Sequence, residues 1–371
     1  MNRISFLKKS IGLAAGTSLL IQACRQDSSK KGTKGPHIIK KTKYRWKMVT
    51  TWPPDFPILG EGCKKFAQWV EEATDGALRI RVFGGGELIP PLEVFEAVSS
   101  GTAHMGSGAS YYWAGRSPAT QFFSTVPFGM NAQQMNGWLE VGGGMKLWKE
   151  LYDGFNLIPL NAGNTGVQMG GWFNKKIDTP DDFNGLKMRM PGLGGKVLEK
   201  MGGAAVLLAG GEIFTGLERG VIDATEWIGP YHDYLMGFHK IAKYYYYPGW
   251  HEPGTTLEMI INKRHYNQLP KEIQSILQLA AVKLSQWTLA SFEHKNAYYL
   301  DKIRKEAAVE ILPFPREVLS VLHQRTKSVI EEVIAKDDFS KKIYDSYQSY
   351  RKQAATWGKM TEKAYYDWMI Q

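Results

Sequence analysis

Arg189 stands between Met188 and Met190 in the strand-like run Leu186-Lys-Met-Arg-Met-Pro191. A guanidinium in so apolar a setting needs a carboxylate partner, because a charge taken out of water without one is strongly destabilising. Its planar fork suits a small carboxylate held through two parallel hydrogen bonds, and it equally suits a carboxylate of the protein itself; the residues alone leave both open. Glu226 beside Trp227, in Ala224-Thr-Glu-Trp-Ile-Gly-Pro230, makes the complementary demand for a cation. Gln168 in Val167-Gln-Met-Gly-Gly-Trp-Phe173 and Glu252 in Trp250-His-Glu-Pro-Gly254 add two further oxygen donors. Such ligands form the hard set of Na⁺, Ca²⁺ or Mg²⁺ rather than of zinc, unless they are simply three unrelated polar residues.

The elements that must position these residues show an internal repeat. Glu93-Val-Phe-Glu-Ala-Val-Ser-Ser-Gly-Thr-Ala-His104 and Glu212-Ile-Phe-Thr-Gly-Leu-Glu-Arg-Gly-Val-Ile-Asp223 share a Glu, a β-branched residue, a Phe and a glycine at matching places, Gly101 and Gly220. Each predicts a short helix ended by a glycine and followed by a strand. Two copies imply two similar α/β lobes, the build of a clamp that closes on a small solute. Strands are predicted over 44–52, 77–83, 157–160, 167–173, 186–190, 204–208 and 224–228, with a helix over 196–201. The succession of strand, helix and strand argues largely parallel pairing. From Pro270 onward the chain turns helical, and Leu319, Leu322, Thr326, Val329 and Val333 fall on one helix face. The fold class is therefore α/β, a two-lobe clamp with a long helical C-terminal extension. Tyr344, Tyr347, Tyr350, Trp357, Tyr365, Tyr366 and Trp368 crowd that extension and need a surface to cover, on the same chain or on a second subunit.

Charge and targeting signals constrain the function class. The formal net charge is +10, but residues 46–371 hold 35 basic and 35 acidic side chains. The excess sits in the first 45 residues, so the folded body has no overall positive field for nucleic acid. Arg3, Lys8 and Lys9, the apolar run 11–21 and Ile21-Gln-Ala-Cys24 form an export signal. Its ending resembles a bacterial lipobox, which makes Cys24 the lipidated first residue of the mature chain, and Arg3-Ile-Ser-Phe-Leu-Lys8 resembles a twin-arginine signal with Ile4 in place of the second arginine. Residues 24–43 are predicted to be a flexible basic tether. Cys63 is then the one remaining thiol, which excludes a disulfide framework and a paired-thiol zinc site. Enzyme motifs are thin: Gly84-Gly-Gly-Glu and Gly192-Leu-Gly-Gly195 lack dinucleotide spacing, and His104, His232, His239, His251 and His265 are scattered, as structural histidines are.

Gln168-Met-Gly-Gly-Trp-Phe, Gly185-Leu-Lys-Met-Arg, Gly220-Val-Ile-Asp223 and Glu226-Trp227 resemble the substrate-binding subunits of tripartite ATP-independent periplasmic (TRAP) transporters, over roughly residues 44–371. The chain looks most like the branch that binds 2-oxo acids such as pyruvate, or lactate, with a metal ion. The resemblance implies an α/β fold of the two-lobe periplasmic-binding-protein clamp kind with mixed sheets, in which Arg189 grips the substrate carboxylate. It implies that Gln168, Glu226 and the Trp227 carbonyl hold the cation with the substrate, with Glu252 as a further ligand and an aromatic contact from Tyr111 or Tyr112. It also implies delivery to membrane permease subunits, and a homodimer held by the C-terminal extension. The domain plan that follows is 1–23 signal peptide, 24–43 tether, 44–163 first lobe with returning segments after about 255, 164–254 second lobe, 255–336 helical return and lobe-spanning helices, and 337–371 terminal helix. Na⁺ and Ca²⁺ are both expected cations; two glutamates and a substrate carboxylate against one arginine favour the divalent ion. The rival from another class is a periplasmic metal-dependent enzyme acting on small carboxylic acids.

Overall fold

The structure, a computed structural model, describes residues 43–306 and 308–369. The signal, lipobox and most of the tether lie outside the described residues. Among the described residues, eleven strands form two sheets. β1 (Tyr44–Thr50), β2 (Leu78–Phe83), β3 (Met105–Gly108), β4 (Leu157–Asn164) and β10 (Thr256–Asn262) make the first, in the order β2-β1-β3-β10-β4. β5 (Gly171–Phe173), β6 (Lys187–Arg189), β7 (Ala204–Val206), β8 (Ala224–Thr225), β9 (Tyr244–Tyr247) and β11 (Glu310–Pro313) make the second, in the order β11-β9-β5-β8-β6-β7.

The repeat seen in the sequence is a structural one. The helices Val94–Ser99 and Ile213–Glu218 each run into a glycine with positive φ, 84° at Gly101 and 71° at Gly220, where a side chain would be strained. They feed β3 and β8, and each of these strands lies between a parallel neighbour (β1, β6) and an antiparallel one (β10, β5). The units β1-helix-β2-helix-β3 and β6-helix-β7-helix-β8 thus share one plan in which the first strand is central. In such sheets the crevice beyond the carboxyl ends of the parallel strands is the natural ligand site. The expectation of largely parallel pairing holds within each unit; β10, β4, β5 and β9 return antiparallel and make both sheets mixed.

Two segments cross between the sheets, 165–170 from β4 to β5 and 248–255 from β9 to β10. They pair with each other: Gln168 N–H donates to the Glu252 carbonyl at 3.3 Å and Gly249 N–H to the Gln168 carbonyl at 2.9 Å. A Cβ on Gly249 would stand 2.5 Å from that carbonyl oxygen, so the close approach requires glycine. The strand predicted over 167–173 forms only at Gly171–Phe173, because Val167–Gly170 is spent on this crossing. The single helix Lys271–Glu306 packs on β4, on the helix Leu59–Ala73 and on the helix Pro230–Leu235, spanning both sheets.

The C-terminal extension divides. Its helix Asp338–Gly358 buries Ile343 and Tyr347 in the main core, and the Tyr347 hydroxyl accepts the Met130 N–H at 2.9 Å. Trp357 in its last turn, and Tyr365, Tyr366 and Trp368 beyond it, are 58–78% exposed. Among the described residues no helix is long and apolar enough to cross a membrane.

Candidate functional site

Arg189 ends β6, just before Pro191 stops the strand, and Glu226 follows β8 directly; parallel register places Arg189 opposite Thr225, so the two side chains emerge side by side. Both are 1% exposed and form an ion pair through Arg189 Nη1 and Glu226 Oε1. The same guanidinium donates to the Leu208 carbonyl from Nε at 3.4 Å and to the Tyr112 hydroxyl from Nη2 at 3.2 Å. It lies 5.1 Å from the Trp227 ring centre, a cation–π contact. Arg189 therefore has the carboxylate partner that its setting demands, and that partner is one of the two glutamates of the sequence pattern. Burial opposes its charge while Glu226, the strongest favourable influence, holds its pKa above the usual arginine range.

The crossing segments bring the remaining oxygens. Glu252 Oε2 accepts from Gln168 Nε2 at 2.8 Å and from the Thr255 hydroxyl. Burial, and then the nearby Glu226 carboxylate, push the Glu252 carboxyl well above the ordinary value. Tyr112 comes from the first sheet, on the 3₁₀ turn Ser110–Trp113 after β3, and reaches Arg189 across the cleft; Tyr111 beside it is buried, its Cβ only 3.1 Å from where a Cβ on Gly192 would lie. Gln168, Arg189, Glu226, Trp227, Glu252 and both tyrosines are thus gathered at the meeting of the lobes.

One residue of the cluster was not singled out by the sequence. His251 Nε2 lies 3.5 Å from Glu226 Oε2, and ligand atoms of Glu226, His251 and Glu252 fall within 4.8 Å of one another. Its signal was adjacency to Glu252 in Trp250-His-Glu-Pro, which shows only once 248–255 is known to be a crossing segment. Gln168 Oε1, Glu226 Oε2 and both His251 ring nitrogens are buried without a hydrogen-bond partner. Unpaired buried acceptors are costly, and two carboxylates facing one guanidinium leave net negative charge. This donor set, oxygen-rich with one imidazole, fits a hard cation. A surface cavity of about 820 Å³ lies elsewhere, between the Lys271–Glu306 helix and Tyr366, and contains none of these residues.

Two like lobes with a buried, charge-bearing site at the strand ends define a solute-binding clamp. Residues 48–337 match the family described as bacterial extracellular solute-binding protein, family 7, and the chain belongs to this family. It is 39% identical over 355 residues, 95% of each chain, to a monocarboxylate 2-oxoacid-binding periplasmic protein of Nostoc sp.. Two solved TRAP periplasmic solute-binding proteins superpose over 88% of this chain and 99% of their own. That of Pseudoalteromonas atlantica, with bound sodium and pyruvate, has 42% identity and TM-score 0.86. That of Colwellia psychrerythraea, with bound calcium and pyruvate, has 43% identity and TM-score 0.85.

Proposed function

We propose that this chain is an extracytoplasmic TRAP receptor that captures a small 2-oxo or 2-hydroxy monocarboxylate, of the pyruvate or lactate kind, together with Na⁺ or Ca²⁺. The observation that carries the reading is the buried set of Arg189, Glu226, Glu252 and Gln168, with unpaired oxygens on Gln168 and Glu226, where the lobes meet. Arg189 supplies the fork for the carboxylate, and the Tyr112 hydroxyl orients the guanidinium from the other lobe. Gln168, Glu226, the Trp227 carbonyl and Glu252 hold the cation, with His251 at its edge. A bound cation would neutralise the two glutamates and bridge to the ligand carboxylate. Gln168 and Glu252 sit on the crossing segments, so ligand capture and lobe movement share the same residues.

The supporting frame is a first lobe of 44–163 with returning segments after about 255, a second of 164–254, and a helical return with lobe-spanning helices over 255–336. The mature chain is tethered through a lipidated Cys24 and hands its ligand to membrane permease subunits. The exposed Trp357, Tyr365, Tyr366 and Trp368 favour a homodimer, and removal of residues 359–371 should convert it to a monomer in sedimentation.

Calorimetry tests the site. Pyruvate should bind at least about tenfold more weakly, a loss of roughly 1.4 kcal/mol, after chelation in sodium-free buffer. Proton NMR should show the acid chemically unchanged. Equal affinity with and without cations would remove the metal, and conversion of pyruvate would favour the enzyme.

A further inference from the structure

His232 lies fully buried on the helix Pro230–Leu235, just after the Glu226-Trp227 corner, and bonds in two directions. Its Nδ1 is 3.3 Å from the Trp227 indole nitrogen, and its Nε2 is 2.9 Å from the carbonyl of Pro57, in the loop that follows β1. An indole N–H only donates, so Nδ1 must be the bare acceptor; a carbonyl only accepts, so Nε2 must carry the proton. Both demands are met by one neutral tautomer. Burial lowers the imidazole pKa to about 3, which keeps it neutral.

The two ends of this bridge belong to different sheets. Trp227 forms the wall over Arg189, and Gly210 leaves it room: a Cβ there would stand 2.7 Å from the indole. On the other side, the 53–58 loop is strained. Asp55 and the β-branched Ile58 have φ of 56° and 59°, left-handed conformations that side chains rarely adopt and that persist where surroundings enforce them. Phe56, between them, packs edge-on against both His232 (4.6 Å) and Trp227 (6.0 Å). The helix carrying His232 is fixed in turn by Tyr231 N–H donating to Asn296 Oδ1 at 3.1 Å, on the long spanning helix.

We propose that His232 is the latch of the clamp, a positioning residue that joins the ligand-site Trp227 to the opposite lobe, so that closure and the setting of the indole over Arg189 are one event. The latch rests on the receptor reading above. It acts on release: the bond to Pro57 ties the Trp227 corner to the loop of the other sheet, so its loss speeds ligand dissociation and leaves association nearly unchanged.

Stopped-flow measurement of pyruvate dissociation, with Ca²⁺ or Na⁺ present, tests it. His232→Asn keeps an acceptor for Trp227 but cannot reach Pro57, and should release pyruvate about tenfold faster, with association within about twofold of wild type. His232→Gln, whose amide nitrogen reaches the Nε2 position, should restore slow release to within about threefold. Wild-type release in His232→Asn, or release in His232→Gln as fast as in His232→Asn, overturns the latch. If the wild type binds no pyruvate with either ion, the receptor reading fails. The latch is then decided in ligand-free protein by amide exchange over residues 56–62, where faster exchange in His232→Asn supports it and equal exchange overturns it. Should His232→Asn not fold, the ¹⁵N spectrum of the wild-type imidazole decides: protonation on Nε2 alone supports the latch, any other state contradicts it.

Discussion

At the carboxyl ends of β6 and β8 the chain places Arg189 and Glu226, whereas the matching ends of β1 and β3 carry Trp52, Tyr111 and Tyr112. The backbone plan is the same in both lobes and the chemistry is opposite. The second lobe supplies fixed charge; the first supplies aromatic rings with one hydroxyl aimed at that charge. Charge confined to one lobe needs no opposite charge to be stripped of water each time the lobes meet. An aromatic face loses little on closing and buries apolar area as it does so. The ligand's own carboxylate, with its cation, then completes the electrostatics.

The largest break in this comparison comes from Arg189→Lys. The charge stays but the planar fork goes, so pyruvate binding should weaken by about 1.5–3 kcal/mol, read by calorimetry. Wild-type affinity would make Arg189 a purely structural partner of Glu226.

A second buried carboxylate sharpens the contrast between a binding site and a core. Glu258, on β10, is paired with no cation among the described residues; its oxygens accept from the Trp113 indole at 2.5 Å and the Tyr152 hydroxyl at 2.9 Å. Burial pushes its carboxyl from 4.5 up to about 7. A raised folded-state value means that its contribution to stability is fully present below about pH 4.5 and is lost as the pH climbs through about 7. Glu258→Gln should therefore be the more stable protein at pH 8, by up to about 2–3 kcal/mol, with the gap closing as the pH falls toward 4.5. Denaturant melts at pH 5 and 8 read this directly; a gap independent of pH would contradict it.

The smallest effect tests the aromatic lobe. Tyr112→Phe removes the hydroxyl that receives Arg189 Nη2 and leaves the ring, so affinity should fall by about 0.5–1.5 kcal/mol with little change in melting temperature. A loss as large as that of Arg189→Lys would mean that the first lobe contributes more than orientation.

These residues also mark what the sequence made legible. The repeat around Gly101 and Gly220 was visible because a glycine must end each helix, and it led to two sheets of one plan. Arg189 and Glu226 stood out as charges in apolar strands, yet Glu258, in the equally apolar Thr256-Leu-Glu-Met-Ile-Ile, carries the same signature for a structural reason. What separates them is the partner, a guanidinium in one case and two neutral donors in the other, and partners 37 to 145 positions away are not local information. His251 and His232 looked like scattered histidines for that reason. Their surroundings are assembled by the crossing segments and by the meeting of the lobes. The C-terminal aromatics were legible as a surface needing cover, but the division between Tyr347 in the core and Trp368 in solvent depends on where the Asp338–Gly358 helix lands.

The central claim is that carboxylate and cation are held as a unit between a charged lobe and an aromatic one. Native mass spectrometry of the mature protein with pyruvate, with and without Ca²⁺ or Na⁺, tests it most directly. Pyruvate and one cation should appear together on each chain, and pyruvate should be largely lost when the cation is withheld. A pyruvate adduct of equal intensity without any cation would contradict it.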